Sequence, residues 1–147
     1  MMRSVLKTLA GLVPCAVLAL ALAGCSSEEL SLSLDVSASP NPVTGVAGDD
    51  GRRWDYRISI VNTSPVAVVV ESYHTEVTDT DTGYVQPLHI VEESEVIGQR
   101  IEPAATGVYA ANRVSGGKFN TGRERRIYHA RSEEGKYYSG DVVIELQ

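Results

Sequence analysis

The chain has 147 residues, 43% of them hydrophobic, and a formal net charge of −6. That length suits a single domain with enough core to stand without staples. A net acidic body is unsuited to nucleic acid, so no nucleic-acid partner is expected. The N-terminal stretch comes first in chain order. Arg3 and Lys7 precede an uncharged run over residues 8–27. Its length approaches the roughly 20 apolar residues that a spanning helix needs. Pro14 interrupts it, however, and Glu28 and Glu29 follow where a stop-transfer segment would carry bases. A cleaved targeting segment fits better.

Leu22-Ala23-Gly24-Cys25 closes the run. The order of basic start, apolar middle, small residues and cysteine resembles a bacterial lipoprotein signal. The resemblance implies removal of residues 1–24, acylation of Cys25 on its sulfur and amine, and a lipid-anchored protein of the bacterial cell envelope. Each buried CH₂ adds about 0.8 kcal/mol, so two or three chains fix such a protein in place. Ser26 stands where an Asp would imply inner-membrane retention, which favours the outer membrane. Cleavage takes away Arg3, Lys7 and Cys15, so the net charge becomes −8. With Cys25 acylated, no thiol is left for a disulfide, a metal or nucleophilic attack.

Beyond Glu29 the pattern is that of strands. Leu30, Leu32, Leu34 and Val36 alternate with polar residues, as do Trp54, Tyr56, Ile58 and Ile60. Period two places each apolar set on one face of a half-buried strand. Residues 37–51 lack a pattern and read as a mobile loop. Val66–Val77 and Tyr84–Val91 are β-branched or apolar runs, with Pro87 marking the second as an edge. Shorter strands are expected at Val96–Ile101, Gly107–Val114, Glu124–Arg131 and Asp141–Leu146. Turn chemistry separates them at Pro40-Asn41-Pro42, Gly48–Gly51, Asn62–Pro65, Asp81-Thr82-Gly83, Gly116-Gly117 and Glu134-Gly135. No window after Cys25 has helical periodicity. The expected organisation is a signal over 1–24, a lipidated tether over 25–29, and an all-β antiparallel sandwich of seven to nine strands over 30–147.

Two of these segments carry a further resemblance. Ile60-Val61-Asn62-Thr63-Ser64-Pro65 followed by Val66–Val70, and Ile101-Glu102-Pro103-Ala104-Ala105-Thr106, are similar to stretches of bacterial immunoglobulin-like domains. The resemblance implies an immunoglobulin-like β-sandwich. A fold alone does not confer a function.

Catalytic templates find no anchor. His74 and Glu76 share a strand face, but the Cys-x-x-Cys of a zinc deaminase is missing. His89 with Glu92 is not the metalloprotease pattern. His74, His89 and His129 lack the close spacing of structural metal ligands, so no metal or other cofactor is expected. In Asp79-Thr80-Asp81-Thr82-Gly83 the glycine comes too early for a calcium loop, and a hairpin turn accounts for the stretch. Glu92, Glu93, Glu95, Glu133 and Glu134 read as solvated glutamates. There is no Gly-x-Ser-x-Gly elbow. Trp54 and Tyr56 read as core, and Tyr137 and Tyr138 must point to opposite faces of one strand.

Charge is unevenly spread. Residues 28–102 hold 14 acids against four arginines, whereas 113–136 hold seven bases against three acids. Two readings follow. Either the basic segment pairs with acidic strands beside it, or Arg123, Arg125 and Arg126 form a binding strip for an acidic partner. The functional expectation is a membrane-anchored, non-catalytic accessory or binding module. Its partners are the bilayer, through lipid at Cys25, and an envelope protein or polymer. An inhibitor or immunity protein against an envelope hydrolase is the alternative, and a small metal-dependent hydrolase ranks behind it.

Overall fold

Alternating apolar and polar residues produce nine strands in the structure, a computed structural model that describes residues 34–91 and 94–147. They are β1 (Leu34–Ser39), β2 (Val46–Gly48), β3 (Gly51–Asn62), β4 (Val68–Asp79), β5 (His89–Val91), β6 (Arg100–Ile101), β7 (Thr106–Val114), β8 (Gly122–Ser132) and β9 (Tyr137–Leu146). No helix is present among the described residues, and none there is long and apolar enough to cross a membrane. The chain is all-β, in two antiparallel sheets.

In the first sheet β3 is central. β1 and β2 pair along one of its edges and β7 along the other. In the second, β5 and β6 share the outer edge of β4, followed by β8 and then β9. Trp54, Tyr56, Ile58 and Ile60 of β3 face Val68, Val70, Val77, Tyr128, Ala130 and Ile144 of the second sheet in one buried core. Burying each of the large aliphatic side chains contributes about 1.5–3 kcal/mol. Trp54 also stacks on Phe119 with ring centroids 5.3 Å apart.

The two long sides of the sandwich differ. On one, residues 41–45 run beside β9. The Val43 amide donates to the Glu145 carbonyl at 2.8 Å, and the Gln147 amide to the Val43 carbonyl at 2.9 Å. Asn41 adds side-chain bonds to Val143 and Glu145. Gly140 lets β1 approach β9 here, since a methyl group on it would overlap the Leu34 carbonyl. The other side has no such stitch among the described residues. There Ser94–Val96 form an overhang that faces β7. At one end of the sandwich Asn62 ties two turns together. Its amide donates to the carbonyls of Val66 and Ile101, and its oxygen accepts from the amide and hydroxyl of Ser64.

Several sequence expectations shift. Residues 30–33 and the entire signal and tether lie outside the described residues. Residues 37–51, expected as a loop, contain the end of β1, β2 and the stitch to β9. They show little period because Val43 is the only fully buried side chain there, with Ala38 packed at the edge of the core. Tyr84–Val91 yields only β5 and an isolated Thr78–Val85 bridge. Pro87, without an N–H, interrupts the rest. Val96–Ile101 turns at Gly98, whose φ is +79°, before the short β6. The final strand starts earlier than expected, at Tyr137.

Candidate functional site

The inward rows of β3, β4, β7 and β8 are not uniformly apolar. Period two puts Glu124, Arg126 and Tyr128 on the inner face of β8, opposite Tyr56 of β3 and beside Thr75 of β4 and Arg113 of β7. Glu124 is fully buried. Its Oε2 accepts from the Tyr56 hydroxyl at 2.5 Å. Its Oε1 accepts from Thr75 at 2.9 Å, Arg113 at 2.6 Å and Arg126 at 2.9 Å. Arg113 also donates to Thr75 Oγ1 at 2.6 Å. The Arg126 guanidinium lies 5.1 Å from the Tyr56 ring centroid and 5.2 Å from that of Tyr73. Its Nη2 donates to the Asn112 carbonyl at 3.1 Å.

Burial drives the Glu124 carboxyl upward, but the Arg126 and Arg113 charges and the donated hydrogen bonds outweigh it. The group therefore stays ionised and below the usual carboxylate range. Burial, reinforced by the Glu124 charge, raises the Tyr56 phenol. Burial likewise pushes Tyr128 up to about 12. For Arg126, burial works against the charge, yet the Glu124 carboxylate raises its affinity for the proton. The cluster therefore holds two guanidiniums against one carboxylate.

Above this cluster lies a cavity of about 670 Å³. Tyr56, Tyr73, Tyr109, Tyr128 and Arg126 line its interior, and Ser94–Val96 of the overhang form one wall. Outward groups of β3 and β7, namely Arg57, Ala110 and Asn112, also line it. The cavity thus opens around β7.

Placement of the expected site residues is mixed. Cys25 lies outside the described residues. Arg123, Arg125 and Arg126 do not share a face. Arg123 and Arg125 are exposed and paired with Glu145 at 2.8 Å and Asp141 at 2.9 Å, whereas Arg126 points inward and is buried. His74 and His129 meet on the outer face of the second sheet, His129 Nε2 being 3.4 Å from His74 Nδ1. Burial, aided by the His74 charge, lowers the His129 pKa. His89 pairs with Thr75 and so projects from the opposite face. Among the described residues no group of three His, Cys, Asp or Glu side chains could hold a metal. Asp79 caps its own turn, accepting from the amides of Asp81 and Thr82 and from the Thr82 hydroxyl. Tyr138 is buried and Tyr137 only half so, as strand alternation requires.

Sequence reasoning missed Glu124 and Arg113 as the centre of the cluster. The parity signal was present, because Glu124 and Arg126 share a strand face with Tyr128. Only the fold brings Arg113 and Thr75 to them from other strands.

No protein-family model matches the chain, and no curated protein matches it in sequence. Two solved structures share its architecture. One, the Northeast Structural Genomics Consortium target SoR45, is 20% identical with a TM-score of 0.63, covering 78% of this chain and 84% of the other. The second, described as an ApaA protein from Bordetella pertussis, is 21% identical with a TM-score of 0.59, covering 80% and 96%. Both likenesses are of fold alone: the chain is similar to a known all-β architecture.

Proposed function

We propose that this chain is a lipid-anchored, non-catalytic binding module of the bacterial cell envelope, in which an immunoglobulin-like sandwich is fixed to a bilayer through Cys25. The anchoring rests on Leu22-Ala23-Gly24-Cys25 and the run before it. The binding role rests on one observation: a long edge strand, β7, beside an aromatic-lined cavity. Residues 26–33 separate Cys25 from β1, and at about 3.3–3.6 Å each they reach at most roughly 30 Å. A tether this short concentrates the domain near membrane-embedded partners and makes weak contacts effective.

β1 begins opposite Asn62. In this proposal the anchor joins the end that carries the turns at 62–67, 101–106 and 132–137, from which β7 runs towards the far end. The most useful experiment combines metabolic labelling with radioactive palmitate and fractionation of cells that express the wild type or Cys25→Ser. The proposal expects labelled wild-type chain in the membrane fraction and unlabelled, released variant. Equal partitioning of the two would overturn the anchoring.

A further inference from the structure

Sheets guard their edges, because a row of unpaired N–H and C=O groups invites another strand. Most edges of this sandwich are guarded. β5 and β6 are three and two residues long. β9 is covered by residues 41–45 and abuts β1. β7 is the exception. It is nine residues long, pairs only with β3 among the described residues, and contains neither Pro nor Lys. Val108 and Val114 on it are 54% and 43% exposed.

Its free groups can be assigned. The Ser115 amide donates to the Arg52 carbonyl. By antiparallel alternation Tyr109, Ala111 and Arg113 then bond β3, while Val108, Ala110, Asn112 and Val114 aim their backbone groups away from it. The Arg126 bond to the Asn112 carbonyl agrees, since it reaches that carbonyl from outside the sheet.

Resting on the binding role proposed above, we infer that β7 accepts an extended, acidic peptide segment of another protein as an added strand, with one carboxylate side chain entering the cavity toward Arg126. Strand addition supplies main-chain affinity, and alternate side chains supply specificity. One row of the incoming peptide would cover Val108 and Val114. The other would face the tyrosines of the cavity. The acidic preference follows from charge: the buried cluster carries two guanidiniums against one carboxylate, while at the rim Arg53 pairs with Asp55 and Arg57 is offset by Glu95, so the net positive charge lies at Arg113 and Arg126. A peptide amide that takes over the Asn112 carbonyl also frees the Arg126 Nη2 to meet the incoming carboxylate.

The test pans a random nine-residue peptide library on the full chain and measures the enriched peptide by fluorescence anisotropy. The inference expects enriched sequences with Asp or Glu at one position of an alternating pattern. Exchange of that residue for Asn or Gln should weaken binding at least fivefold. N-methylation of the peptide amides that face β7 should weaken it at least tenfold, and methylation of the intervening amides should not. Ala110→Pro removes an outward amide only and should act like the first methylation. If that variant misfolds, the methylated peptides decide alone. Absence of enrichment, enrichment without an acid, or indifference to methylation would each overturn the inference. So would a chain that sediments as a dimer closed by its own β7 edges. A negative result leaves acylation of Cys25 standing, and an unacylated chain that binds these peptides removes the anchoring alone.

Discussion

Glu124→Gln is the most informative single substitution in the buried cluster. Gln keeps the volume but removes the charge that holds two guanidiniums, and its amide group must face a set of donors. Wild-type Glu124 accepts four hydrogen bonds with no solvent to replace them. Breaking a buried ion pair by removing one partner costs about 3–5 kcal/mol, a large share of the roughly 5–15 kcal/mol that a domain of this size holds. For a chain of this length that lowers Tm by about 10–25 °C. Urea unfolding followed by Trp54 fluorescence should show a lower midpoint with an unchanged slope.

The pH profile should change as well. A carboxyl held below its unfolded value contributes stability that is fully present above the unfolded pKa and is lost as pH falls through the folded one. Wild type should therefore weaken on acidification below about pH 4.5, and the variant should lose less over that range. Replacing Glu124, Arg113 and Arg126 together by Leu, Met and Met should restore most of the stability, because the charge that was left unpaired is gone. A Glu124→Gln cost under about 1 kcal/mol would refute this account of the cluster.

Four further outcomes follow from particular contacts. Arg123→Ser and Arg125→Ser remove exposed ion pairs and should each cost under about 1 kcal/mol, whereas Arg126→Ser should cost several times more in the same denaturation assay. Asn62→Ala leaves buried carbonyls and amides unpaired at the joined turns and should cost about 2–4 kcal/mol, read by calorimetry. Ala104 has a φ of +59°, so Ala104→Gly should be neutral or stabilise by up to about 1 kcal/mol, while Ala104→Val should destabilise. Gly140→Ala should lower stability by about 1–3 kcal/mol by pushing β1 from β9, with loss of the thermal midpoint as the readout.

The fold was legible where alternation was clean. Trp54 to Ile60 and Asp141 to Leu146 each show period two, and each lies in a strand with its apolar face inward. The stitch at residues 41–45 was not legible, because a segment that contributes one buried side chain has no period to read. The shortened β5 also escaped, since a β-branched run records preference but not whether a neighbour is available to pair. The asymmetry of charge pointed to Arg123, Arg125 and Arg126 as a group. Neighbouring strand residues face opposite ways, so the fold divides them into two surface pairs and one buried cation. The open edge of β7 is a property of strand order, which local sequence does not encode.

The central structural premise, an uncovered β7 edge available to a partner, can be read amide by amide through hydrogen exchange monitored by NMR. The amides of Tyr109, Ala111 and Arg113 should exchange slowly, and those of Val108, Ala110 and Asn112 rapidly, with the rapid set becoming protected when the enriched acidic peptide is added. Uniform slow exchange along β7 in the free chain would show that the edge is already occupied and would contradict the account.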